Sequence, residues 1–313
     1  MYSRKRMTAL SAAGMSAALL LTACGGGSGE DLTGPEDGGE EAKEINIGLI
    51  AWEEAIATTN MWKVILEEKG YDVTVTDLDV APLFQGLDNG DVDLYLDVWL
   101  PTTHADYWAD YGEDLEQLNT WYDNAKLTMT VPSYMEDVNS IPDLADHAEE
   151  LDGRVVGIDP GAGLTRVTKE EAMPGYGLDE DFELVESSTA AMLAELDSAI
   201  ADEEPVVVTL WRPHPAYAQY DLKDLEDPDG LMGESETLHS VGRAGFSEEY
   251  PEITGWLENF ELGDEELADL EVMTVTEEGG YKDDPEEGAR AWLAENSEFL
   301  ERTLGEDAEG LEF

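Results

Sequence analysis

The order of apolar runs and helical stretches is the feature that most constrains the fold of this chain. Residues 45–50 form an apolar run typical of a buried strand, and residues 71–76 and 93–99 have the pattern of two further strands. A helix separates each pair of strands, and we expect the first helix to be capped at Thr58 or Thr59. Alternation of strand and helix favours a parallel α/β architecture.

The same pattern recurs, without obvious sequence identity, over the second half of the chain. Strands are predicted at 126–131, 154–158, 184–186 and 205–211, and the chain is predicted to be mainly helical from residue 248 onward. Two α/β units joined in the middle of the chain predict two lobes with a cleft between them.

The N-terminal residues predict export from the cytoplasm. Three basic residues precede an uncharged apolar run at 7–21, which is shorter than the roughly 20 residues that a membrane span needs and is typical of a signal peptide. The run ends in a motif that resembles a bacterial lipobox, so residues 1–23 are predicted to be a lipoprotein signal peptide and Cys24 the lipidated residue. The alternative is an ordinary secretory signal with an incidental cysteine.

Cys24 is the only cysteine, so no intrachain disulfide and no cysteine-based metal site is expected. Residues 24–43 consist largely of Gly, Ser, Asp and Glu, and a segment with so little to bury predicts a flexible acidic tether. Together these features predict an extracytoplasmic body that is lipid-anchored to the cell membrane.

The charge balance is extreme, with 16 Lys and Arg against 74 Asp and Glu and a formal net charge of −58. This charge excludes nucleic acid as a partner, because phosphate binding is driven by Lys and Arg that release counterions. At low salt such a body repels itself, whereas at about 1 M salt the Debye length falls to roughly 3 Å and most of the repulsion is screened. The composition therefore predicts a protein adapted to a saline habitat.

Three tryptophans, Trp52, Trp99 and Trp211, each come at the carboxyl end of a predicted strand. Ligands of open α/β sheets bind outside the carboxyl ends of the strands, so three tryptophans in this one position predict a binding site. Aromatic faces suit a quaternary ammonium group, whose charge is spread over methyl groups and which has no N–H to donate. The other five tryptophans are predicted to pack on helices or loops: Trp62, Trp108, Trp121, Trp256 and Trp292.

Between about residues 45 and 275 the chain resembles the substrate-binding proteins of glycine betaine and proline betaine ABC importers. The resemblance rests on several blocks in one order along the chain: 51–52 with 57–60, 84–86, 99–104, 131–141, 157–163, 211–214 and 220–223.

The resemblance implies roles for particular residues. In that family three tryptophans enclose the quaternary ammonium, and the matching positions are Trp52, Trp99 and Trp211. The ligand carboxylate meets a histidine and two backbone amides of a glycine-rich turn, and the matching positions are His104, Gly163 and Leu164.

The resemblance also implies an α/β fold of the two-lobed periplasmic-binding-protein type (type II), with the ligand in the cleft. We expect lobe 1 to comprise residues 44–131 plus 240–313, and lobe 2 residues 132–239. The expected partners are a small quaternary ammonium ligand and the permease and ATPase subunits of an ABC importer. Neither a cofactor nor a metal nor catalysis is expected.

Two other functions stay open at the level of the sequence. A choline receptor would use the same cage, and Glu54 could accept a hydrogen bond from the choline hydroxyl, although an exposed carboxylate is the favoured interpretation of Glu54. A secreted hydrolase is a more distant alternative, because the chain has neither a Gly-x-Ser-x-Gly elbow nor a His-Glu-x-x-His helix. The sequence does not rank glycine betaine, proline betaine and carnitine.

Overall fold

The computed structural model describes residues 43–313. The predicted signal peptide, the predicted lipidation site at Cys24 and the predicted tether up to residue 42 lie outside the described residues. Within residues 43–313, no helix combines the length and the apolar character that crossing a membrane requires.

The described residues alternate between strands and helices. The strands are β1 Glu44–Leu49, β2 Asp72–Asp77, β3 Leu94–Leu100, β4 Glu116–Pro132, β5 Arg154–Val156, β6 Glu183–Val185, β7 Val208–Arg212, β8 Leu222–Asp224 and β9 Glu236–Gly242. The helices are α1 Glu53–Glu68, α2 Val80–Asn89, α3 Ala105–Tyr111, α4 Gly163–Val167, α5 Met173–Gly175, α6 Thr189–Asp202, α7 Ala216–Gln219, α8 Phe246–Glu249, α9 Pro251–Leu257, α10 Asp264–Val275, α11 Pro285–Glu295 and α12 Ser297–Leu304. A π-helical segment at Thr168–Ala172 joins α4 to α5.

The N-terminal half of the sheet has the predicted parallel arrangement. Strand β1 pairs in parallel with β2 on one side and with β3 on the other. Helices α1 and α2 supply the crossovers that parallel neighbours need. The carboxyl ends of β1 and β3 therefore lie at the same edge of the sheet, which is where Trp52 and Trp99 occur.

Two antiparallel strands, β9 and β4, connect the N-terminal half of the sheet to its C-terminal half. Strand β9 pairs antiparallel with β3, and the first part of the long strand β4 pairs antiparallel with β9. The last part of β4 pairs antiparallel with β7 and with β8, and β5 lies parallel between β7 and β6. The parallel arrangement predicted from the first three strands is therefore confirmed, and antiparallel strands lie in the middle of the sheet. The residue boundaries of the two lobes stay a prediction.

Two local predictions are wrong. Helix α1 begins at Glu53 with Trp52 as its N-cap, and the side chain of Thr58 instead donates a hydrogen bond to the Glu54 carbonyl within the helix, at 2.7 Å. Two acidic residues in the first turn favour this earlier start, because they complement the positive end of the helix dipole. Trp121 lies on β4 and is fully buried, rather than on a helix or loop.

The carboxylate surplus predicts a melting temperature that depends on salt. Raising sodium chloride from about 0.1 M to about 1 M shortens the Debye length from roughly 10 Å to roughly 3 Å and so removes most of the repulsion among surface carboxylates. We expect the midpoint of thermal unfolding, followed by circular dichroism, to rise by about 5 °C or more. In a domain of this size the midpoint shifts by roughly 2–4 °C for each kcal/mol added to the free energy of unfolding. Glycerol at equal osmolality is the control and should have a smaller effect. A midpoint independent of salt contradicts the prediction.

Candidate functional site

One small cavity lies where the carboxyl ends of the strands meet. The space between its walls, including the part open to solvent, is about 270 Å³. The residues that line it are Trp52, Glu54, Trp99, Thr103, Leu127, Ile158, Ala162, Gly163, Leu164 and Trp211. Five of the six predicted binding residues therefore line one cavity.

The three tryptophans reach the cavity from separate elements. Trp52 follows β1 at the start of α1, Trp99 lies near the end of β3, and Trp211 lies near the end of β7. The ring centroids of Trp52 and Trp211 are 6.5 Å apart, with their planes inclined at 60°. All three side chains are buried. The structure brings the predicted cage residues together, and their role in binding stays a prediction.

Strand β3 fixes Trp99 through its own alternation of side chains. Tyr95, Asp97 and Trp99 are two residues apart and therefore lie on one face of the strand. Trp99 Nε1 donates to Asp97 Oδ1 at 3.0 Å, and the Tyr95 hydroxyl donates to Asp97 Oδ2 at 3.4 Å. Asp97 is buried in a central strand, and desolvation there raises the pKa of its carboxyl well above the ordinary value.

Glu54 is not the exposed carboxylate that the sequence favoured. It lies in the first turn of α1, is only 1% exposed and lines the cavity. Its Oε2 accepts a hydrogen bond of 2.8 Å from Trp211 Nε1. Burial, reinforced by the charge of Asp97, raises the pKa of Glu54 well above its usual range. The prediction failed because an acidic residue next to a helix start gives no sign of facing inward.

His104 lies beside the cavity rather than on its lining. Its ring stacks on Trp52 with centroids 5.7 Å apart and planes inclined at 14°, and it is fully buried. The Trp99 backbone N–H donates to His104 Nδ1 at 2.9 Å, so Nδ1 is the acceptor and the proton of the neutral ring is on Nε2. Desolvation lowers the pKa of His104 to about 3, which keeps the ring neutral. Among the described residues Nε2 has no hydrogen-bond partner.

Gly163 and Leu164 contribute backbone to the cavity. They are the first two residues of α4, and N–H groups at a helix start have no carbonyl partner within the helix. Gly163 packs so closely on Thr103 that an added Cβ would lie 1.9 Å from the Thr103 carbonyl oxygen. Only glycine allows the two backbones to approach in this way.

A buried carboxylate that sequence reasoning missed holds the turn opposite Gly163. Glu236 on β9 accepts hydrogen bonds from the backbone N–H groups of Thr102 and Thr103, at 2.7 and 2.8 Å, and from the Thr103 hydroxyl. Two peptide bonds to proline are cis near the site, Leu100–Pro101 and Arg212–Pro213. The position of Thr103 in the cavity wall thus depends on a residue far away in the sequence.

Polar contacts join the two halves of the fold across the cavity. The Tyr107 hydroxyl donates to the Gly161 carbonyl at 3.0 Å. Arg166 donates to the Thr102 carbonyl at 2.8 Å and lies 3.2 Å from the Asp106 carboxylate. His214, which was predicted to be a structural partner, packs edge-on against Trp211 with centroids 4.6 Å apart.

The chain is similar to known proteins of one functional class. Residues 43–295 match the family described as the substrate-binding domain of ABC-type glycine betaine transport systems. A stretch of 152 residues is 39% identical to the glycine betaine/carnitine transport binding protein GbuC of Listeria monocytogenes and covers 48% of this chain and 49% of that protein. The match thus spans about half the length of this curated relative.

Solved structures match most of the chain. Lactococcal OpuAC, in its closed-liganded conformation with glycine betaine, is 32% identical with a TM-score of 0.77, and the match covers 84% of this chain and 99% of that one. The ProX glycine betaine/L-proline-binding protein of Borrelia burgdorferi is 31% identical with a TM-score of 0.78, covering 85% and 98%. An ABC-transporter choline-binding protein in complex with choline is 30% identical with a TM-score of 0.76, covering 84% and 92%. The predicted two-lobed periplasmic-binding-protein fold is confirmed.

Substitution of Gly163 tests whether its contact with Thr103 closes the cavity. In Gly163→Ala the new methyl group overlaps the Thr103 carbonyl, so the two backbones must separate and expose the tryptophans. We expect acrylamide quenching of tryptophan fluorescence to increase about twofold or more, as buried side chains gain exposure. Gly161→Ala is the matched control, since its Cβ would meet nothing nearer than the Tyr107 hydroxyl at 3.7 Å. Equal quenching in the two variants contradicts this account.

Proposed function

The chain belongs to the family of substrate-binding domains of ABC-type glycine betaine transport systems, and from this premise we propose that it captures glycine betaine or proline betaine for an ABC importer. Proteins of this class bind a substrate outside the cytoplasm without chemically changing it, so the hydrolase alternative is set aside. The observation that carries the proposal is the convergence of Trp52, Trp99 and Trp211 with Gly163 and Leu164 on one small cavity.

The tryptophan end of the cavity suits a trimethylammonium group. Each aromatic face attracts the cation through its quadrupole and contacts the methyl groups through its apolar surface. The cavity is lined mainly by apolar side chains, and the carboxyls of Glu54 and Asp97 lie behind the indole N–H groups. The carboxyls of Glu54 and Asp97 thus lie beside the aromatic faces that would contact the cation.

The start of α4 and the His104 ring suit a carboxylate. The N–H groups of Gly163 and Leu164 are at the start of a helix, where the helix dipole favours an anion. His104 Nε2–H is a buried donor without a partner among the described residues. A buried donor that lacks an acceptor is costly, and a ligand carboxylate would satisfy it.

The expected affinity is moderate. Three desolvated cation–π contacts at up to ~2 kcal/mol each contribute about 6 kcal/mol, and two or three hydrogen bonds to a charged carboxylate add ~1.5–3 kcal/mol each. Loss of translational and rotational freedom costs ~4 kcal/mol or more. The balance corresponds to a dissociation constant near micromolar, about −8 kcal/mol.

Choline is the second candidate ligand. Glu54 lines the cavity, so a hydroxyl group of a ligand has an acceptor within the site, and one similar structure is a choline-binding protein in complex with choline. Choline has no carboxylate, however, and would leave His104 Nε2–H and the amides of Gly163 and Leu164 without an acceptor. Glycine betaine has both a quaternary ammonium group for the tryptophans and a carboxylate for these donors.

We also propose the cellular setting. Lipidation of Cys24 would hold the protein at the outer face of the cell membrane, where it would deliver the ligand to the permease and ATPase subunits of the importer. The acidic surface suits a saline habitat, in which import of a compatible solute offsets external osmotic pressure.

Substitution of a cage tryptophan tests the ligand class. Glycine betaine, proline betaine, choline and carnitine are titrated into the protein at high salt and followed by calorimetry. Trp99→Phe should weaken glycine betaine binding by about tenfold or more, because it shrinks the aromatic face and removes the hydrogen bond to Asp97. Trp292→Phe is the matched control, since Trp99 and Trp292 are both 2% exposed and Trp292 lies outside the cavity. If none of the four compounds binds, the proposed function is wrong.

His104 tests whether the ligand carries a carboxylate. In His104→Asn the amide oxygen can still accept from the Trp99 N–H, but no donor reaches the position of Nε2. We expect glycine betaine affinity to fall by about tenfold or more, the usual loss for a hydrogen bond to a charged group. Choline affinity should change by less than about threefold. His104→Gln, whose amide nitrogen extends toward the Nε2 position, should recover part of the loss. Equal loss for both ligands would count against carboxylate recognition.

A further inference from the structure

We propose that Asp97 and Glu54 act together as the counter-charge of the cage, each fixing the indole of one cage tryptophan. The inference rests on the proposed function and adds a charged element behind the aromatic walls. Asp97 does not line the cavity and acts through Trp99, so it is a positioning residue.

The geometry connects two walls of the cage to one carboxyl pair. Trp99 Nε1 donates to Asp97, and Trp211 Nε1 donates to Glu54, which also lines the cavity. The charge of Asp97, together with burial, raises the pKa of Glu54. Trp99 lies on β3 and Trp211 on β7, so the pair joins the two halves of the fold directly behind the cavity. Neither indole can turn without leaving a buried N–H and a buried carboxyl oxygen without a partner.

Burial and mutual repulsion limit the ionisation of the pair. Two neighbouring carboxyls in a buried site do not both ionise, so the pair retains at least one proton and carries at most one negative charge. The titratable groups that face the pair are Glu53 from α1, Tyr95 from β3, Glu271 from α10, and His214, whose Nε2 lies 3.1 Å from Glu53. In the part of the chain described here, neither Glu54 nor Asp97 forms an ion pair with lysine or arginine.

The remaining negative charge has a consequence for specificity. In a buried site of low effective dielectric constant, a charge attracts a nearby cation more strongly than it would in water. The pair therefore favours ligands with a positive headgroup over ligands of the same shape with a neutral one. A cage made only of aromatic and apolar contacts would distinguish the two less well.

Amide substitutions separate charge from shape. Asp97→Asn and Glu54→Gln each keep an oxygen that accepts from the indole and leave the other carboxyl as the sole charge, whereas the double variant removes the charge entirely. The ligands are glycine betaine and 3,3-dimethylbutanoate, in which a carbon atom replaces the quaternary nitrogen. Both are measured by calorimetry at high salt, with the second ligand also measured by displacement of the first. Asp72→Asn/Asp77→Asn, which removes two exposed carboxylates of β2, is the matched control.

We expect the double variant to bind glycine betaine about tenfold more weakly or worse, and each single variant to lose no more than about threefold. The preference for glycine betaine over 3,3-dimethylbutanoate should fall by about tenfold in the double variant and stay constant in the Asp72/Asp77 control. Parallel weakening of both ligands would mean a purely structural role and would overturn the inference, as would unchanged binding of glycine betaine by the double variant. Failure of the unmodified protein to bind glycine betaine would instead overturn the proposed function.

Discussion

An indole N–H group buried in the wall of a cavity is costly without a hydrogen-bond partner, and this constraint organises two of the three cage tryptophans. Both are partnered by carboxyls, Trp99 with Asp97 and Trp211 with Glu54. The third ring, Trp52, stacks on His104, and its Nε1 has no partner among the described residues. The aromatic walls and the buried acids therefore depend on each other, because removing either member leaves a buried polar group unsatisfied.

The same arrangement places donors and acceptors around one cavity. Carboxyls accept from two of the indoles, the residues Gly163 and Leu164 at the start of α4 line the cavity, and His104 carries its proton on Nε2. Burial keeps His104 neutral by lowering its pKa, so this ring adds a donor without adding a positive charge. Under the proposed function, these donors serve the carboxylate of a dipolar solute, which a simple cation lacks.

Much of this site could be predicted from the sequence, because its parts lie where strands end. Strand ends are visible as apolar runs, and a tryptophan or glycine just after one is conspicuous, as with Trp52, Trp99 and Gly163. The buried acids were not predictable in the same way. With 74 acidic residues in the chain, composition does not distinguish Glu54, Asp97 or Glu236 from those on the surface. Only the burial of Asp97 could have been recognised from the sequence, since Asp97 alternates with Tyr95 and Trp99 inside an otherwise apolar strand.

The two populations of acidic residues differ in their response to salt. Screening acts through mobile ions in solvent, so it weakens repulsion among exposed carboxylates and has little effect on the buried carboxyls of Glu54 and Asp97. A zwitterionic ligand carries no net charge, so the large negative potential of the surface does not draw it toward the protein or repel it overall. Under the proposed function, the number of exposed carboxylates can therefore rise with little effect on a site built from buried groups. Solubility and specificity would then be set by separate sets of acidic residues.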